Sequence, residues 1–250
     1  MDGALTLAQN GSAALLSVFL SLHLSAPILA AFSQRGSALS SANNALLLAR
    51  EVYQRTPALE LTLVFVPLAL HVVSSAFIRA RKRARGAKGA LSAHAKAGWT
   101  LVGLVAHHVA SHRLVPARWG LSPSFFSYDI VPRALSSGSL ARRTLAAVSY
   151  AALVGAASYH ALVGVRMLSG ATRSTRTGLA PKPDEVTSVA GERGMTRRVK
   201  RQSWRMGYAA LVGSAGLGIV RLANDVPFIP RALAQDYDRL LQLTLLGSAS

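Results

Sequence analysis

Five apolar runs, near residues 13–33, 59–79, 97–117, 146–168 and 206–223, constrain what this chain can fold into. Each is about 20 residues long, enough at roughly 1.5 Å per helical residue to cross a bilayer. In hydrocarbon every backbone N–H and C=O must be satisfied within the protein, which leaves helices or a closed barrel. The period-2 alternation of a membrane barrel strand is absent from the sequence. The fold expected is therefore all-α, an integral membrane bundle of five transmembrane helices over residues 1–225. An amphipathic tail, 226–250, is expected on the membrane surface or against the bundle. The fifth run, GYAALVGSAGLGIV, is rich in Gly and Ala, which suits close helix packing. Asp2, with no Lys or Arg ahead of the first run, reads as the start of a retained helix rather than a cleaved signal.

Charge placement fits this reading. The chain is 51% hydrophobic and only 15% charged, yet carries a formal charge of +18. Its basic residues cluster between the apolar runs, where they meet anionic head groups, so no nucleic-acid partner is expected. Seven Lys or Arg fall in RARKRARGAKGALSAHAK (79–96) and ten between Arg166 and Arg205. With five crossings both stretches lie on the N-terminal side, giving 17 basic residues there against 11 opposite. The positive-inside bias then puts the N-terminus on the cytosolic side. Residues 170–204 read as a basic surface loop, and residues 118–140, with Pro, Ser and aromatics as in LSPSFFSYDIVP, as an interfacial segment.

The chain has no cysteine, which excludes disulfides, cysteine-ligated clusters and covalent haem attachment. Histidine is left as the candidate ligand. Six of the seven histidines, His23, His71, His107, His108, His112 and His160, lie inside the apolar runs; only His94 is in a loop. Ionisable groups within a membrane normally face the bundle interior and have a partner. HALVGVR (160–166) and HHVASHR (107–113) share a His, a small residue four positions on and an Arg six positions on. His71, Ser75 and Arg79 are similar. This register selects His107 as the counterpart of His71 and His160, with His108 as runner-up; His112 and Arg113 are assigned to the membrane boundary. Depth pairs His23 with His107 (or His108) and His71 with His160. Two chemistries stay open: axial ligation of haem b, or hydrogen bonding to serines and carbonyls across helices. No close cluster of His and carboxylates suggests zinc.

Phosphate-cradling loops, nucleophile elbows and HExxH patterns are absent, so no enzyme activity is expected. Glu60 is expected at head-group level or paired with an arginine. Pro181-Lys182-Pro183 is a candidate short docking peptide. A transporter is disfavoured because no inverted repeat stands out.

The order of short motifs is distinctive: Gly11-Ser12 leading to His23 and Pro27, AREVYQ (49–54), Glu60, and PLALH (67–71) with Arg79. Gly98, the histidine cluster, Arg113, Pro116 and SYHALVG (158–164) follow. Over most of its length the chain resembles the fungal Mcp family of five-helix mitochondrial membrane proteins. The resemblance implies residence in the mitochondrial outer membrane and a part in lipid homeostasis and mitochondrial morphology. It also implies recruitment of a bridge-like lipid-transfer protein through a Pro-x-Pro peptide in an N-terminal tail. The tail here is short, and Pro181 and Pro183 are the substitute candidates. The histidine distribution also resembles the di-haem cytochrome b anchors of succinate dehydrogenase and fumarate reductase, although the usual His-Arg pair before the first span is absent. That resemblance implies haem b held by His23 with His107 or His108, and by His71 with His160. The alternative function is thus a haem b and quinone-binding anchor subunit.

Overall fold

The computed structural model describes residues 2–87, 89–120, 127–136, 138–174, 189–225 and 229–245, with no side-chain description over 170–203 and 243–245. Every regular element among the described residues is helical. The elements are α1 (Asp2–Phe32), α2 (Ala38–Tyr53), α3 (Pro57–Ala84), α4 (residues 93–118), α5 (Ile130–Ser136), α6 (Leu140–Ser174), α7 (Val189–Asn224) and α8 (Arg231–Leu245). Pro181 and Pro183 lie outside the described residues.

Among the described residues four helices are long and apolar enough to cross a membrane: Gly3–Phe32, Pro57–Ala84, Leu140–Ser169 and Trp204–Asn224. The expected crossing near 97–117 is helical but is not among them. Three histidines and an arginine crowd into its residues 107–113, whereas His23, His71 and His160 are the lone histidines of their runs.

Local chemistry sets the helix ends. Pro57 supplies a preset φ at the first position of α3, and Thr56 Oγ1 accepts from Leu59 N at 3.2 Å. At the other end of α3, Gly86 adopts φ +82°. It lets Ala87 N reach Lys82 O at 3.0 Å and Gly86 N reach Arg83 O at 2.9 Å, so the last carbonyls are satisfied.

Two proline-linked irregularities bear on the site. Residues Leu61–Phe65 of α3 and Ala110–Leu114 of α4 are wound as π turns. Pro67 and Pro116 follow them, each four residues beyond the centre of its turn, Leu63 and His112. A proline offers no N–H to the carbonyl four residues back and its ring crowds that carbonyl; a widened turn accommodates both.

Packing is inverted relative to a soluble bundle. Large apolar side chains such as Leu7, Val18, Phe77 and Val148 point outward, while Ala26, Ala30, Ala42, Ala215 and Ser158 are fully buried. Without a hydrophobic drive in lipid, small residues let helices touch by van der Waals contact. At Gly218 a Cβ would lie 1.8 Å from the Pro27 carbonyl oxygen, so α1 and α7 meet backbone to backbone.

On the side opposite the N-terminus, α2, α5 and α8 form a cap. Its core joins Leu39, Ala42 and Leu46 of α2 to Ile130, Val131 and Ala134 of α5 and Tyr237, Leu240 and Leu241 of α8. The segment from Ile130 expected at the interface is thus partly core. The tail helix packs on the bundle, tied there by Arg133 donating to both carboxylate oxygens of Asp238.

Candidate functional site: a divided histidine centre

The histidines form two groups at different levels. The first joins α3, α4 and α6. His71 and His160 lie edge to face with ring centroids 6.0 Å apart. His71 Nδ1 is 3.3 Å from the Gln9 carbonyl and 3.5 Å from Ser12 Oγ; His160 Nδ1 is 3.2 Å from the His94 carbonyl. A carbonyl only accepts, so each ring carries a proton on Nδ1 and donates it there. His94, absent from the expected set, lies flat on His160 at 4.1 Å with a 4° interplanar angle. Gly98, one turn on, makes the space, since a Cβ there would be 2.8 Å from His160 Cε1. The spacing of His94 and Gly98, four apart on one helix face, was the signal available in the sequence.

His94 sits just outside the apolar run. Burial first, then the nearby His71, lowers its pKa from the usual 6.5. Its Nδ1 is buried with no hydrogen-bond partner, and a bare lone pair is the cheaper form of such an atom.

The second group joins α1, α4 and α6. His23 meets His108 at 5.9 Å, edge to face, and His108 stacks on His112 at 4.4 Å. His23 Nδ1 reaches Tyr53 Oη at 3.4 Å, and Phe19 stacks on the same imidazole at 5.4 Å. His112 Nδ1 lies 2.8 Å from Ser111 Oγ and 3.2 Å from the His108 carbonyl, with Tyr150 beyond it.

Two expectations are corrected. His107, chosen by register to face the centre, is exposed, and His108 takes its place beside His23. His112 belongs to the interior group rather than the boundary. The pairing of His71 with His160 is as expected.

Beneath the second group lies an ion pair. Arg113 donates to Glu60, and Gln54 Nε2 donates to the other carboxylate oxygen at 2.7 Å. Glu60 is 6% exposed. Of its two sequence readings, the paired one holds.

Haem ligation would impose a spacing on such donors. An iron between two imidazole nitrogens, each about 2 Å away as in other metal–imidazole bonds, would set ring centroids roughly 6 Å apart. Both histidine pairs meet that spacing. The macrocycle does not fit this packing. The cavity beside His107, His108 and His112 is about 40 Å³, room for a few waters, and its walls include Leu104, Tyr150 and Leu240. Around His160, the stacked His94 and the backbone at Gly98 take the adjacent space. No group of three or more His, Asp or Glu among the described residues is placed to hold a bare metal ion.

Residues 103–225 match the family model described as MDM10-complementing protein 1, transmembrane domain. The match supports an Mcp1-type family. It runs from the middle of α4 to the end of α7 and includes His108, His112, Arg113 and His160, while His23, His71 and Glu60 precede it. Neither a curated protein nor a solved structure matches the chain.

Proposed function

We propose that this chain is a non-enzymatic mitochondrial membrane protein that supports lipid homeostasis and organelle morphology as an adaptor for a lipid-transfer partner. The observation that carries the reading is the match of residues 103–225 to the MDM10-complementing domain, a stretch that includes His107, His108, His112 and His160. In this reading the histidines are a structural polar core: each bonded Nδ1 ties one helix to another or to its own backbone, where lipid would supply no partner. The bundle has five crossings, with α4 as the third. In support, α4 lies along α6 from His94 beside His160 at one end to His112 near Tyr150 at the other. Its 26 residues span about 39 Å as helix. The N-terminus faces the cytosol in the outer membrane, and Pro181 and Pro183 form the candidate docking peptide.

The test is complementation. Expressed in cells lacking MDM10, the chain should restore elongated mitochondria and resist carbonate extraction from the mitochondrial fraction. Retention elsewhere in the cell, or full insertion with no effect on morphology, would refute the reading. Pro181→Ala with Pro183→Ala should keep insertion and lose co-purification of a lipid-transfer protein.

The matched 5.9 and 6.0 Å imidazole pairs favour one second reading, a haem b and quinone anchor whose helices part to admit the macrocycle. An oxidised-minus-reduced spectrum of the purified protein distinguishes the two. A b-type band lost on His71→Ala would establish the anchor; no band, even after adding haemin, would eliminate it.

A further inference from the structure

The cap holds a second cavity, of about 210 Å³, where α5 turns into α6 beneath α8. Arg133, Arg142, Asp238 and Gln242 supply its polar wall, and Ala134 and Leu241 its apolar one. We propose that this cavity binds the phosphate of an anionic phospholipid whose acyl chains run down the outer face of α6. The inference rests on the geometry of the cap and does not depend on the adaptor reading.

Four observations support it. Two guanidinium groups face one carboxylate, and Asp238 is already held by Arg133 Nε at 2.8 Å and by Nη2, so the cavity keeps an excess of positive charge. The N-terminus of α6, a 35-residue helix, opens at the same place, with Ser139 Oγ accepting from Arg142 N at 3.4 Å; its dipole adds to the attraction for an anion. Arg142 is placed by backbone shape: Gly138 takes φ +78°, and a Cβ there would lie 3.1 Å from Arg142 Cδ. Finally, the polar cavity sits at the top of a lipid-facing surface. Leu145, one turn below Arg142, is 40% exposed and Val148 58%. A free phosphate ion would use the arginines alone, whereas a phospholipid uses both surfaces at head-group depth.

Native mass spectrometry of the full chain in neutral detergent tests this with dioleoyl phosphatidic acid, dioleoyl phosphatidylcholine and inorganic phosphate as probes. Phosphatidic acid should bind roughly tenfold tighter than phosphatidylcholine, as expected for one charge-assisted contact, and excess inorganic phosphate should not displace it. Arg142→Gln should bring phosphatidic acid to the phosphatidylcholine level. Gln242→Glu, an exposed change that leaves the fold intact, should weaken it in the same direction. Arg35→Gln, an exposed arginine outside the cavity, should bind as the parent does. Equal binding of the two lipids, parent-like binding by both cavity variants, or an equal loss in Arg35→Gln would overturn the site. Displacement by inorganic phosphate at matched concentration would overturn the lipid as its ligand.

Discussion

At the scale of single residues, the consequential pair is Glu60 with Arg113. Their side chains are 7% and 27% exposed, so neither charge is fully hydrated. A buried pair adds little over an apolar pair of the same shape, but removing one partner strands the other. Arg113→Ala should therefore lower stability by roughly 3 kcal/mol, towards the low end for such losses because Arg113 keeps some exposure. Arg113→Met with Glu60→Gln should recover most of it. Thermal melts in detergent check this, and equal stability of the single and double variants would contradict it. His94 gives a pH dependence. Its pKa is lowered on folding, by burial first, so below about pH 6.5 the unfolded chain takes up the proton more readily than the folded one. The stability that His94 contributes is whole above that pH and is lost as pH falls through the lowered folded value. Melting temperature should drop from pH 7 to pH 5, and His94→Asn should drop less over that window. The proximity of His71 and His160 was legible because both lie a similar number of residues from the same side of the bundle, a depth that regular helices convert directly into height. Between the neighbours His107 and His108 the spacing to Arg113 pointed to the wrong residue, since a spacing shared by two helices places a group along each helix and not on the side that faces the bundle.

At the scale of elements, the contact between α1 and α7 depends on a missing side chain. Gly218→Ala would put a methyl 1.8 Å from the Pro27 carbonyl oxygen, a backbone atom that cannot swing away. The helices must separate, and the cost should exceed the roughly 1–3 kcal/mol of ordinary overpacking. Gly213, on the same helix, has nothing within 4 Å of its would-be Cβ. Gly213→Ala should be neutral or stabilise by about 0.5–1 kcal/mol through helix propensity. Comparing the yield of folded monomer and the melting midpoint of the two variants isolates the contact from propensity. The sequence marked α7 as a close-packing helix through its Gly and Ala content, but composition does not say which glycine meets a backbone. The cap was less legible still. Residues 118–140 read as interfacial, and the tail from Val226 to Leu246 stayed open between the membrane surface and the bundle, because amphipathic helices that pack on a bundle and those that lie on lipid have the same periodicity. Tyr237 and Leu240, both fully buried, show that the apolar face of α8 is satisfied by protein.

At the scale of the whole molecule, the number of crossings decides which side each loop occupies, and α4 decides that number. Four of the described helices stay apolar over a full crossing length, and 93–118 falls short because its histidines and Arg113 lower its apolar character. A sequence window averages over all faces of a helix, so a span that turns its polar groups inward is undercounted. The absence of native cysteine allows a direct measurement. Gln34, Ala87 and Ala141 are exposed, in the turn after α1, just after α3 and at the start of α6. Gln34→Cys, Ala87→Cys and Ala141→Cys, made one at a time, can be labelled in intact organelles with a membrane-impermeant maleimide. Five crossings place Gln34 and Ala141 on one side and Ala87 on the other, with Ala87 sharing the cytosolic face of the N-terminus and its 17 basic residues. Four crossings would put Ala141 with Ala87 instead. Labelling of Ala87→Cys alone before permeabilisation, and of all three after it, is the expected result. Joint labelling of Ala87→Cys and Ala141→Cys beforehand would remove α4 from the membrane and, with it, the lipid-embedded setting of His108 and His112.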